Sequence, residues 1–171
     1  MQARGGNGTS LRQRALRLLA GREHTRAELT RKLSGHASEI EIADVLDALQ
    51  KDGLLSDERF AASYVRTHAA RLGRARLAQT LRAKGVAVDL ANHELDAQLN
   101  ADGQSDEAER ARALWERKFG AVPTDAREWA RQARFLQFRG FSSEVIRQIL
   151  RAAKLSAGEN PPAVVAEKDS A

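Results

Sequence analysis

What most limits the folds open to this chain is a helical apolar pattern written three times. Leu33 and Leu46 stand 13 residues apart, Leu81 and Leu95 14, and Leu136 and Leu150 14. The three starting leucines follow one another at intervals of 48 and 55 residues. Two of the units share a turn, Lys84-Gly85-Val86 and Arg139-Gly140-Phe141. Each turn sets a base in the last helical turn, then a glycine able to adopt positive φ, then an apolar residue that folds back; this closes a helix C-terminus. A three-helix unit of this length buries too little apolar surface alone, so stacking of the units is expected. The fold class is therefore all-α: an elongated, curved stack of three tandem three-helix repeats with about nine helices.

Apolar period and cap residues place the helices. They fall at about 10–20, from Thr25 through Leu33, 38–51, from Ser56 or Asp57, from Gly73 to Gly85, from Asp89, 105–119, 125–139 and 142–154. Thr25 with Glu28 reads as a capping box. The repeats then span about 10–53, 54–101 and 104–154. Residues 1–9 are Gly-rich and 155–171 contain Gly158, Pro161 and Pro162, so both ends are expected to be disordered tails. Trp115, Phe119, Trp129 and Phe135 recur at helical spacing and are expected in the core. Phe138, interleaved with Arg134 and Arg139, is better placed for a basic surface where stacking or cation–π contact becomes possible.

Charge then narrows the function. Of 28 basic residues 22 are arginine, and the formal net charge is +5. Residues 53–88 hold seven bases and two acids, 89–109 seven acids and no base, and 110–139 eight bases and three acids. Such segmentation suits a charged macromolecular partner, and arginine forks onto phosphates and carboxylates. Two clusters stand out as binding candidates. One is Arg66, Arg71, Arg74, Arg76, Arg82 and Lys84, in which Arg71, Arg74 and Arg82 share a face if that helix runs on. The other is Arg127, Arg131 and Arg134, on one stripe at i, i+4 and i+7, with Arg139 beyond it. The acids of 89–109 read as a surface face.

No enzyme motif is present. His24, His36, His68 and His93 have neither metal-ligand nor catalytic spacing, and His24 and His68 read as structural. The sequence has no glycine-rich phosphate loop and no calcium-loop spacing. No catalytic residue, metal or cofactor is expected. Cysteine is absent, which fits a reducing cytoplasm, and no stretch is apolar for long enough to cross a membrane.

Four local patterns, in this order and spacing, resemble the RecX family, bacterial regulators of the RecA recombinase, over about residues 10–154. The first is Leu19-Ala20-Gly21-Arg22-Glu23-His24-Thr25 with Glu28-Leu29 and Lys32-Leu33. The second is Gly53-Leu54-Leu55-Ser56-Asp57-Glu58-Arg59-Phe60-Ala61 with Tyr64-Val65. The third is Gly73 leading to Leu77, Leu81 and Lys84-Gly85-Val86, and the fourth is Arg134-Phe135-Leu136 with Arg139-Gly140-Phe141-Ser142. The resemblance implies tandem three-helix repeats. It implies a modulator, mainly an inhibitor, that binds the RecA–single-stranded DNA filament and damps its ATPase, growth and strand exchange. The partners are then the RecA filament and single-stranded DNA, the latter bound weakly and salt-dependently, and the chain is expected to be a monomer. Asp57, Arg59, Phe60 and Tyr64, with the turn glycines Gly85 and Gly140, are expected to be architectural, Asp57 as a cap and Phe60 buried. Ser56 departs from the acid common there in the family, and it caps well. The competing reading is a helical DNA-binding regulator acting without RecA. Against it, the third helix carries Glu39, Glu41, Asp44, Asp47 and Asp52 close by, a poor set for entering a groove.

Overall fold

The computed structural model describes residues 10–100 and 107–158. Within them the chain forms helices α1 (Leu11–Gly21), α2 (Arg26–Leu33), α3 (Glu39–Lys51), α4 (Asp57–His68), α5 (Arg74–Ala83), α6 (Val88–Asn100), α7 (Glu107–Lys118), α8 (Ala126–Phe138) and α9 (Ser143–Gly158), and no strand. The all-α expectation holds. The expected tails at 1–9 and beyond Gly158 lie outside the described residues, and α9 itself runs four residues past the expected stop at Lys154.

Cap chemistry explains most of the starts. Ser10 with Gln13, and Ser38 with Glu41, form complete capping boxes. Ser56 and Asp125 cap α4 and α8 by accepting from Arg59 and Glu128 amides. Thr25 caps α2 through its hydroxyl, but the reciprocal half of the expected box is missing: the Glu28 carboxylate turns inward instead, to Lys84 at 2.7 Å.

Backbone contacts gather the chain into two compact units, one running to Ala69 and resuming at Leu77, the other joining Ala70–Arg76 to the part of the chain that begins at Ser105. In the first, Ala15, Leu29, Leu33, Ile42, Leu46, Leu49 and Leu55 form one cluster under α1–α3. Phe60, Val65, Leu77, Leu81, Val86 and Leu95 are buried as well. In the second, Leu114, Trp115, Leu136, Phe141, Ile146, Ile149 and Leu150 pack together. Trp129 is not part of that core and is 40% exposed. Gln132 stands where the earlier repeats have Leu29 and Leu77. Its amide accepts from the Trp115 indole at 2.6 Å and donates to the Ala121 carbonyl at 3.1 Å. That satisfied polar pair lets Gln132 join Leu136 on the buried face of α8, whereas Trp129, on the same face but in the first turn, stands at the edge of the core.

One joint is built twice. In the first unit, the Arg26 amide at the start of α2 donates to the Asp57 carboxylate at 2.7 Å, and the Thr25 hydroxyl donates to the Lys84 carbonyl at 2.6 Å. In the second, the Arg74 amide at the start of α5 donates to Glu107 at 3.0 Å, and the Gly73 amide to the Arg139 carbonyl at 2.9 Å. A carboxylate at the first position of a following helix thus caps the middle helix of the preceding repeat. The turn glycines complete each joint. Gly85 (φ +87) sits so close that a Cβ would lie 2.3 Å from the Ala27 Cβ. Gly140 (φ +86) sits where a Cβ would lie 2.4 Å from the Arg76 amide nitrogen. Asp57 is therefore a cap, as expected, but of α2 rather than of its own helix. Glu107, read as part of an acidic surface, is its counterpart.

Candidate functional site

Side chains of the expected architectural set in the first unit are held in place by specific partners. Phe60 is buried, Tyr64 stacks between it and His68 at centroid distances of 6.0 and 4.1 Å, and Arg59 donates to Glu23 at 3.0 Å. Beneath them lies a charged knot. Glu28, 8% exposed, receives Lys84 at 2.7 Å, Arg22 at 3.2 Å and the His24 ring at 3.2 Å. Burial alone raises the Glu28 pKa, but hydrogen bonds from Lys84 and Arg22 outweigh it and hold the group at about 2. His24 is pressed below its ordinary value by burial first and by Arg22 next, against the pull of Glu28.

This changes the status of the first basic cluster. Lys84 is committed to Glu28 and also lies 5.6 Å from the Phe60 ring centroid. Arg66 is exposed on α4 and donates to Gln98 at 3.1 Å. Arg82 is exposed in the last turn of α5. Arg71 does not share a helical face with Arg74 and Arg82, because α4 ends at His68 and Arg71 sits in the connection before α5. Arg71, Arg74 and Arg76 belong to the second unit, and Arg66, Arg82 and Lys84 to the first.

The second unit gathers the denser set. An open pocket of about 540 Å³ is lined by Arg71, Arg117, Lys118 and Arg139 around an apolar floor of Leu114 and Phe135. Its lining has four cationic side chains and no acid. Arg71 is carried there by the connection that the Gly73 amide ties to Arg139. Arg117 and Lys118 end α7, where bases also suit the helix dipole, and that role hid them among ordinary last-turn bases in the sequence. Arg139 lies over the Phe135 ring at 5.2 Å, Phe135 meets Phe119 edge-on at 5.3 Å, and Arg131 lies over Phe119 at 5.7 Å. Aromatic faces thus hold two arginines beside the pocket without neutralising their charge. Along α8, Arg127, Arg131 and Arg134 are all exposed, as the stripe requires. Glu128 approaches Arg131 only to 4.0 Å. Phe138 follows on the same stripe, 76% exposed, with the Arg76 guanidinium 5.6 Å from its centroid.

What this arrangement offers is a surface for polyanions: several guanidinium forks, an apolar floor and exposed rings. Among the described residues, no three His, Asp or Glu side chains gather as a metal site would, and no helix is long and apolar enough to cross a membrane.

Repeated three-helix units joined helix to helix, with arginine rows on their surface, define a class: all-helical repeat proteins. Family models describing the first, second and third three-helix domains of RecX match residues 12–49, 56–95 and 105–150. The regulatory protein RecX of Leptothrix cholodnii is 54% identical over 145 residues, 84% of this chain and 89% of that one. The regulatory protein RecX of Ralstonia nicotianae is 45% identical over 155 residues, covering 89% and 94%. Among solved structures, a RecX from Lactobacillus salivarius superposes with a TM-score of 0.71 at 25% identity, covering 85% of this chain and 95% of that one. The chain belongs to the RecX family.

Proposed function

We propose that this protein modulates the RecA recombinase, mainly as an inhibitor, by binding the RecA–single-stranded DNA filament and damping its ATP hydrolysis, growth and strand exchange. One observation carries the reading beyond family membership: the acid-free pocket of Arg71, Arg117, Lys118 and Arg139, beside the exposed arginine stripe of α8. A filament of protein and single strand is a continuous polyanion, and rows of guanidinium groups backed by aromatic rings suit its phosphates and acidic side chains. Arg127, Arg131, Arg134 and Arg139 are assigned to this contact together with Arg71, Arg74 and Arg76, and Arg117 and Lys118 are added to them. Arg66 and Arg82 form a second, sparser candidate set. Lys84 is assigned to the fold. Direct binding to the single strand is expected to be weak and salt-dependent, and the acting species is a monomer.

The test is DNA-dependent ATP hydrolysis by the cognate RecA, titrated with this protein. Suppression well below the RecA concentration supports a block on filament growth. Suppression only near equal concentrations supports coating of the filament. No effect, with tight and sequence-selective binding to duplex DNA, refutes the proposal in favour of a regulator acting without RecA.

A further inference from the structure

Phe138 is the most exposed aromatic side chain in the second unit, and nothing in the fold requires an apolar ring there. At 76% exposure it contributes little to the core. Its position is nonetheless fixed. Phe138 is the last residue of α8, and the turn that follows is clamped at Gly140, whose Cα is packed against the Arg76 backbone, and at Arg139, whose carbonyl receives the Gly73 amide at 2.9 Å. The same clamp brings the Arg76 guanidinium to 5.6 Å from the Phe138 centroid. One side of the ring is thereby plated by a cation, and most of the remainder faces solvent.

Arginines flank the ring along α8 and in the turn after it. Arg134 precedes Phe138 by one helical turn and Arg139 follows it, while Arg127 and Arg131 continue the stripe. Arg134 stays exposed while its Nε donates to the Ala130 carbonyl at 3.2 Å. The nearest acid of α8, Glu128, is engaged at the far end with Thr124 and, loosely, Arg131. An exposed ring amid cations, held still before any partner arrives, matches a ligand that is anionic along its length and carries a flat π-face at each step. Unpaired nucleic acid is that ligand: bases stack on aromatic rings and on guanidinium planes, and phosphates take the neighbouring arginines. An acidic protein surface would also meet the arginines but offers no regular π-face for the ring, whereas every step of a single strand offers both.

We infer that Phe138, plated by Arg76, is a seat for one unpaired nucleobase, with Arg134 and Arg139 serving the flanking phosphates. The inference deepens the proposed function and rests on its reading of this face as a polyanion surface.

The experiment compares two labelled oligonucleotides of equal length bound by the full chain at fixed salt, one of thymidines and one abasic with the same phosphates. The intact protein should bind the thymidine strand more tightly. Phe138→Ala should weaken binding to that strand about five- to hundredfold and leave the abasic strand unaffected, while Phe138→Trp should keep the preference. If Phe138→Ala leaves the difference between the strands as it was, the seat does not exist. If it spares both strands yet abolishes the effect on RecA, the ring is a protein anchor and the inference is overturned. An intact base preference with no effect of the parent protein on RecA would instead refute the proposed function and leave the seat standing. Circular dichroism of each variant checks the fold, which an exposed ring should not disturb.

Discussion

Replacing Lys84 by Met should change how the protein responds to acid more than it changes the fold. A carboxyl held at about 2 against its ordinary 4.5 contributes on the order of 3 kcal/mol to stability at neutral pH. The sign follows from the lowered folded value: the contribution is complete above 4.5 and is lost as pH falls through that value towards about 2. His24 acts in the same direction in a higher window. Its folded pKa lies below 6.5, so the unfolded chain takes up the proton first, and stability begins to fall as pH drops below 6.5. Lys84→Met keeps the length of the side chain and removes the ammonium that Glu28 receives at 2.7 Å. Arg22 remains but is about half exposed and more distant, at 3.2 Å. The variant should lose about 2–3 kcal/mol near neutrality, as breaking one side of a buried pair does. It should then lose much less than the parent between about pH 5.5 and about pH 3, because Glu28 has returned towards its ordinary range. Urea unfolding followed by circular dichroism at both pH values gives the difference directly. In a Glu28→Gln background, Lys84→Met should no longer alter the acid response. Equal losses in parent and Lys84→Met across that acid window would refute the argument, since the depressed Glu28 would then owe nothing to Lys84.

Three further outcomes follow from the joints and the pocket. Asp57→Ala and Glu107→Ala should each cost about 0.5–2 kcal/mol, the usual loss of a helix N-cap, measured as a shift in denaturant midpoint at unchanged slope; the two losses should be similar if the joints are equivalent. Gly140→Ala should cost about 1–2 kcal/mol for the left-handed backbone alone, and more because the methyl would lie 2.4 Å from the Arg76 amide nitrogen; thermal melting measures it. Changing Arg71, Arg117 and Arg139 together to Gln should leave helix content intact, weaken single-strand binding, and flatten the logarithmic salt dependence by about 0.7 for each phosphate contact removed.

The helices and their threefold recurrence were legible because they depend on local signals: apolar period, serine and aspartate caps, and glycine after the last turn. What the sequence hid depends on distant partners. Glu28 fits a capping box by spacing, and only Lys84, 56 residues on, draws its carboxylate inward. Glu107 lies in an acidic run, and nothing local marks it as the acceptor for the Arg74 amide. Trp129 has core spacing and shares a face with Gln132 and Leu136, but its place in the first turn of α8 leaves it at the edge of the core. The pocket joins residues from the connection before α5, the end of α7 and the end of α8. Arg71 and Arg139 were legible as bases, but their meeting with Arg117 and Lys118 required the fold.

The two joints also explain how so arginine-rich a chain keeps its cations for its surface. Each joint is made from backbone groups, a carboxylate and the space of a glycine, with the Thr25 hydroxyl added in the first. Arg26 and Arg74 enter through their amides, and Arg139 enters through its carbonyl. The Arg139 guanidinium is left to lie over Phe135 at the pocket, and that of Arg26 reaches Asp47 at 2.6 Å. A joint built instead from arginine–carboxylate pairs would consume the charges and fix their side chains between helices. Here the third repeat shows the same economy from the other side. α8 supplies its own cap, Asp125, and its amide ends need no carboxylate from elsewhere. α8 meets the joint only through the turn that follows it, at Arg139 and Gly140, so the exposed side chains of Arg127, Arg131, Arg134 and Phe138 along its length are left for the surface.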